Sequence, residues 1–142
     1  MKIAPEIKEK VERLMALMPK SLDAHLGITY LELSPDLLVG QLPVDDRTRQ
    51  PFGILHGGAS VVLAESLSSI GALLNINEDR FMAVGLEINA NHIRPVKEGV
   101  VVGTARPIHR GASTQIWETR IEAGGKLSCI SRCTMAIVAR RS

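Results

Sequence analysis

A chain of 142 residues, 45% apolar and 23% charged, has the size and balance of one globular domain with its own core. Aromatic residues make up only 3%, so that core must be aliphatic and closely packed. The net charge is +2, carried by scattered basic residues without aromatic stacking platforms, which argues against a nucleic-acid partner and leaves room for a phosphorylated small ligand.

The first residues lack the long apolar segment of a secretory signal. Residues 3–18 read as a helix, because Ile7, Val11, Leu14, Met15 and Met18 recur at three- and four-residue spacing among Lys and Glu. Pro19 stops it. Residues 24–33 and 37–44 read as strands joined by the turn Ser34-Pro35-Asp36, a hairpin pattern. A loop rich in turn formers follows and ends in Gln50-Pro51-Phe52-Gly53-Ile54-Leu55-His56-Gly57-Gly58.

Residues 57–75 form an apolar helical run whose single carboxylate is Glu65. A charge in such a setting loses hydration, so it must be paired, protonated or useful. The run is long enough to pose the question of a membrane span, but its serines, glycines and central acid argue against one. Beyond it, residues 81–92, 100–108, 113–123 and 126–138 carry strand signals, with tight turns at Glu98-Gly99 and Gly124-Gly125. The order α, β, β, α, β, β, β, β implies an α+β fold, with an antiparallel, curved sheet wrapped around one long central helix. Gly58, Ala59, Ala64, Ser68, Gly71 and Ala72 would let that helix approach the sheet closely. The sheet's other face then needs a cover, either the first helix or another subunit. Cys129 and Cys133 lie on one face of a strand about 13 Å apart, too far for a disulfide. Two free thiols fit a reducing, cytoplasmic setting, and no metal-ligand spacing is present.

The combination of Gln50, His56-Gly57-Gly58 and Glu65, together with Gly85-Leu86-Glu87-Ile88-Asn89-Ala90-Asn91-His92, resembles the hotdog-fold thioesterases. The likeness is to their phenylacetate-pathway and aryl-CoA branch, which includes enzymes acting on 1,4-dihydroxy-2-naphthoyl-CoA or on misacylated aryl carrier protein. It covers residues 22–138 and makes residues 1–142 a single hotdog thioesterase domain, with residues 1–20 as an N-terminal helical addition. The resemblance implies that Glu65 is nucleophile or general base and that the Gly57 N–H polarises the thioester carbonyl. His56 and Gln50 would orient the thioester, and Ser69 would support the water or the acid. It also implies that the turn His109, Arg110, Gly111, Ala112 and Ser113 contacts CoA, with Arg110 on a phosphate. Arg106, Arg132, Arg140 and Arg141 are weaker phosphate candidates.

Each of these residues has a plainer reading. Glu65 could be a satisfied structural acid, His56 a capping residue, Gln50 a solvated loop side chain and Ser69 a packing residue. His92 could line the acyl pocket or be an interface histidine, Arg110 could be a solvated hairpin charge, and Met82 and Met135 are core or pocket lining.

The expected activity is hydrolysis of an aromatic or medium-sized acyl-CoA, or an acyl-carrier-protein thioester, with no metal or other cofactor. A hotdog dehydratase or hydratase and a non-enzymatic acyl-CoA binding module are the alternatives. Gly57 and Glu65 are eight residues apart, so about 12 Å along one helix. One carbonyl cannot meet both in one chain, which predicts a homodimer with shared sites. The resemblance extends this to a homotetramer.

Overall fold

The computed structural model describes residues 1–140; Arg141, one of the phosphate candidates, lies outside them. The elements are β1 (Lys2–Ile3), α1 (Lys8–Leu17), α2 (Leu22–Leu26), β2 (Thr29–Leu33), β3 (Leu38–Pro43), α3 (Gly57–Leu74), β4 (Phe81–His92), β5 (Val100–Arg110), β6 (Thr114–Ala123) and β7 (Lys126–Ala139). All seven strands form one sheet in the order β1-β2-β3-β5-β6-β7-β4. Every pairing is antiparallel except β1 with β2, which is parallel, so the expected antiparallel sheet has one mixed edge.

Two local expectations are corrected. The first helix is interrupted: Pro5–Ile7 and Met18–Lys20 are tight 3-10 turns, each with a proline near its start. Residues 24–28 are not strand. The Ser21 side chain accepts from the Ala24 N–H and caps the short helix α2. Gly27 ends that helix in the left-handed conformation at φ 76°.

The sheet curls around α3, which packs on β3 to β7. One face of α3 is buried through Leu63, Leu67, Ile70 and Leu74 together with Ala59, Ala64, Ser68, Gly71 and Ala72. Close approach is literal at Gly71, where a Cβ would stand 2.7 Å from the fully buried ring of Trp117. Across the sheet, a Cβ on Gly103 would stand 2.9 Å from Leu67. Although α3 is long and apolar enough to span a membrane, the sheet holds its buried side as a core helix.

The C-terminal end of α3 is closed by neighbours. Lys10 Nζ donates to the carbonyls of Leu74 and Ile76, the latter at 2.6 Å. Asn75 Nδ2 donates to Gly71 and Pro35 carbonyls. These groups satisfy orphan carbonyls and put a cation at the negative helix end. Ile7 and Val11 bury their side chains in the same core, which is how the N-terminal segment is fastened.

Strand β4 sits at the sheet's far edge, paired only with β7. It runs alongside α3, and its register slips between Gly85 and Glu87, leaving Leu86 as a bulge. The expected free cysteines are both buried, on the inner face of β7.

Candidate active site

The loop before α3 is shaped from within. Thr48 is buried, its Oγ1 donating to the Pro43 carbonyl at 2.7 Å and accepting from the Asp45 N–H. Its carbonyl accepts from the His56 N–H at 2.8 Å. The link between β4 and β5 crosses beneath, with the Leu55 N–H donating to Val96 and Arg49 donating to Lys97. This framework fixes the start of α3 and hence the direction of its free N–H groups.

His56 is the N-cap of α3, and its Nδ1 accepts from the Gly58 N–H at 2.8 Å. Nδ1 is therefore the unprotonated nitrogen. The Ala59 N–H, and more weakly the Ser60 N–H, turn back to the His56 carbonyl. Among the described residues the Gly57 N–H has no hydrogen-bond partner. It lines a cavity of about 360 Å³ with Gln50, Ser60, His92 and Arg94 among its walls. The His92 ring lies so close that a Cβ on Gly57 would be 2.7 Å from its Nε2. The Gln50 Oε1 accepts from the Phe52 N–H, which holds the amide across the turn.

Glu65 and Ser69 line a second cavity, of about 420 Å³, with Met18, Leu22, Asp23, Val62, Ser66 and Ile70. The Glu65 carboxylate leans on β4, and a Cβ on Gly85 would be 2.9 Å from its Oε1. The Ser69 hydroxyl lies 3.8 Å from the Met135 sulfur. Burial, followed by the Glu65 charge, pushes the Cys133 thiol up to about 11, so this nearby sulfur stays a neutral thiol.

Structure thus divides the sequence candidates into two half-sites. Gln50, Gly57 and His92 share one cavity, while Glu65 and Ser69 share the other. His56 lines neither; it caps the helix and borders a separate groove with Arg47 and Ala59. Arg110 lies at the opposite end of α3, bonded to Asp36 at 2.7 Å, Asn75 Oδ1 at 2.9 Å and the Pro35 carbonyl. His109 folds over Gly111, the Gly111 N–H donates to the Thr114 carbonyl across the turn, and the Ser113 carbonyl accepts from the Ile137 N–H of β7. Arg140 donates to the Glu78 carbonyl, and Arg106 and Arg132 are exposed. Met135 is core, as expected, but Met82 is exposed.

Sequence reading missed Ser60, Arg94 and Asp23 as cavity residues. Ser60, one turn beyond Gly57 at i+3, carried a readable signal. Arg94 and Asp23 carried none, because only tertiary packing brings them to a cavity.

Comparison with known proteins settles the class. The sequence profile of the thioesterase superfamily matches residues 52–130. The chain belongs to the thioesterase superfamily. It has the hotdog fold and is a thioester hydrolase. It is 46% identical over 132 residues to the 1,4-dihydroxy-2-naphthoyl-CoA hydrolase of Escherichia coli, covering 92% of this chain and 96% of that one. The crystal structure of a mutant of thioesterase PA1618 from Pseudomonas aeruginosa superposes with a TM-score of 0.87 at 46% identity, covering 91% and 94% of the two chains. That of thioesterase HI1161 from Haemophilus influenzae gives 0.85 at 43% identity, covering 90% of each.

Proposed function

We propose that this thioesterase hydrolyses aromatic or medium-sized acyl-CoA substrates, with 1,4-dihydroxy-2-naphthoyl-CoA a leading candidate. The observation that carries the reading is the unpartnered N–H of Gly57, a residue that lines a cavity at the positive end of an 18-residue helix, with a carboxylate two turns away. A thioester carbonyl accepting from that N–H gains stabilisation as it becomes an oxyanion. Glu65 either attacks the carbonyl carbon, giving a mixed anhydride that water opens, or takes a proton from the attacking water. Gln50 and His92 fix the thioester's orientation, and Ser69 supports the acid or the water. His56 contributes by capping, which keeps the first turn of α3 in place.

The two half-sites face different cavities, so a complete site takes Gly57 from one protomer and Glu65 from the other. Two features support that pairing. Strand β4 offers an unpaired edge bearing the exposed Met82, Val84 and Leu86. The half-buried stripe of α3, Val61, Val62, Glu65, Ser66, Ser69 and Leu73, is left for a second helix. A tetramer built from two such dimers is the expected assembly.

The test is a panel of aryl, medium-chain and carrier-protein thioesters assayed for thiol release. Hydrolysis of aryl-CoA esters by the native chain and its loss in Glu65→Gln support the reading. Turnover that survives Glu65→Gln unchanged overturns the assignment of Glu65. No thiol release from any of these esters overturns the proposed substrate class.

A further inference from the structure

The Glu65 cavity has a polar wall that hydrolysis does not use. Asp23 of α2 accepts from the Ser66 hydroxyl on Oδ1 at 2.7 Å and from the Tyr30 hydroxyl on Oδ2. Tyr30 is buried in β2, Asp23 and Ser66 are half-buried, and Asp23 and Ser66 both line the cavity. Apart from Ser21, whose hydroxyl proton is spent on the Met18 carbonyl, the remaining lining is apolar, from Met18, Leu22, Val62 and Ile70, with Glu65 and Ser69 at the reacting end.

Counting donors decides what this wall can bind. A hydroxyl has one proton, and those of Ser66 and Tyr30 are both spent on Asp23. The ionised carboxylate has none to give. All spare capacity in the cluster is therefore acceptor capacity: two lone-pair directions on Asp23 and those of Ser66. Burial and the Asp23 charge hold the Tyr30 hydroxyl well above the usual phenol range, so its proton stays in place at any working pH.

Resting on the acyl-CoA hydrolase reading above, we infer that Asp23, held by Tyr30 and Ser66, is a specificity determinant that selects acyl groups carrying a hydrogen-bond donor, in the first place a phenolic hydroxyl. The apolar side chains would hold the ring while the hydroxyl donates to Asp23. An unsubstituted ring leaves the carboxylate facing an apolar surface without a donor. A ring bearing a carboxylate brings an acceptor and a like charge to an acceptor wall. Sites built to bond a substrate hydroxyl reject the analogue that lacks it far better than apolar pockets reject an extra group.

The experiment compares kcat/KM for the isomeric hydroxybenzoyl-CoA esters, benzoyl-CoA, fluorobenzoyl-CoA and carboxybenzoyl-CoA. For the native chain, at least one hydroxyl isomer should exceed benzoyl-CoA by roughly tenfold, and carboxybenzoyl-CoA should be the poorest. Asp23→Ala and Asp23→Asn should bring the hydroxyl-to-unsubstituted ratio to near one, and Asp23→Asn, which can turn an NH2 into the cavity, should improve carboxybenzoyl-CoA relative to the others. Tyr30→Phe should lower the ratio by a smaller factor. A merely structural Asp23 would lower all esters together and leave the ratio standing. Because a ratio is read on whatever enzyme folds, partial misfolding does not imitate the effect. A native chain without hydroxyl preference, or a ratio unmoved in both Asp23 variants, overturns this inference while leaving the hydrolase reading intact. Failure of the native chain to hydrolyse any of these esters overturns this inference, and failure on medium-chain esters as well overturns the acyl-CoA reading.

Discussion

Among the described residues the Glu65 carboxylate takes part in no ion pair, although its neighbour Ser66 and the nearby Ser68 are both hydrogen-bonded. That leaves the acid without a competing partner, and Gly85 is the residue that gives it room. Glu65→Gln should reduce kcat by at least about 100-fold with native circular dichroism, the scale of losing a catalytic acid or base. Gly85→Ala makes a sharper test, because it leaves the acid in the chain and alters only the room around it. Its Cβ would crowd Oε1 at 2.9 Å, so the carboxylate must shift. We expect kcat to fall by about tenfold or more with little change in KM, since misplacing a reacting group costs rate before binding. Unchanged kcat would mean that Glu65 acts from another position. Cys133 gives a reactivity prediction. With its thiol pushed up to about 11 and its side chain buried, it should resist iodoacetamide at pH 8 in the native protein and react once the protein is denatured. Rapid labelling of the native form, read by mass spectrometry, would contradict the burial described.

The long elements were legible from sequence because their signals are periodic. Residues 57–75 lack charges other than Glu65, and the observed helix Gly57–Leu74 differs by one residue. The Gly124-Gly125 turn was equally readable, and both glycines take positive φ, 55° and 74°. The segment 24–28 was misread because Leu26 and Ile28 look like strand residues, whereas the deciding features are the caps Ser21 and Gly27. In the site, Gly57 and Glu65 could be named and their separation along the helix read, but the division of the other residues between the two cavities could not. That division depends on where β4 lies, and a strand's place in a sheet order is not written in its own residues. Two stability predictions belong to the elements. Gly71→Ala should destabilise by about 1–3 kcal/mol, because the methyl would collide with the Trp117 ring at 2.7 Å and a packed core yields little. Lys10→Met keeps the aliphatic stem but removes the charge from the α3 terminus, and should cost about 1 kcal/mol. Urea unfolding measures both. A Gly71→Ala protein as stable as the native one would show that the helix does not sit on Trp117.

At the scale of the molecule, the sheet has a closed and an open side. Its β1 edge is a two-residue strand, too short to recruit another chain, whereas β4 exposes a 12-residue edge. The face of α3 carrying Glu65 borders that same β4 edge, since Glu65 rests on Gly85 and Gly57 on His92. A two-fold axis there would run the two α3 helices antiparallel and carry one protomer's Gly57 toward the other's Glu65. The consequence can be measured without a structure of the assembly. A Glu65→Ala chain lacks the acid but keeps its Gly57 half-site. A Gly57→Ala chain drives a methyl against His92 and spoils the carbonyl site, yet keeps Glu65. Each homodimer should be inactive. After subunit exchange, a hybrid dimer has one site with both defects and one with neither. Equal mixing should therefore restore about a quarter of native activity, half the dimers being hybrids with one working site each. The recovered sites should show the native KM, because they contain only native groups. Verified exchange without recovery would mean that Gly57 and Glu65 of one chain serve separate purposes, and the oxyanion donor facing Glu65 would have to be sought elsewhere.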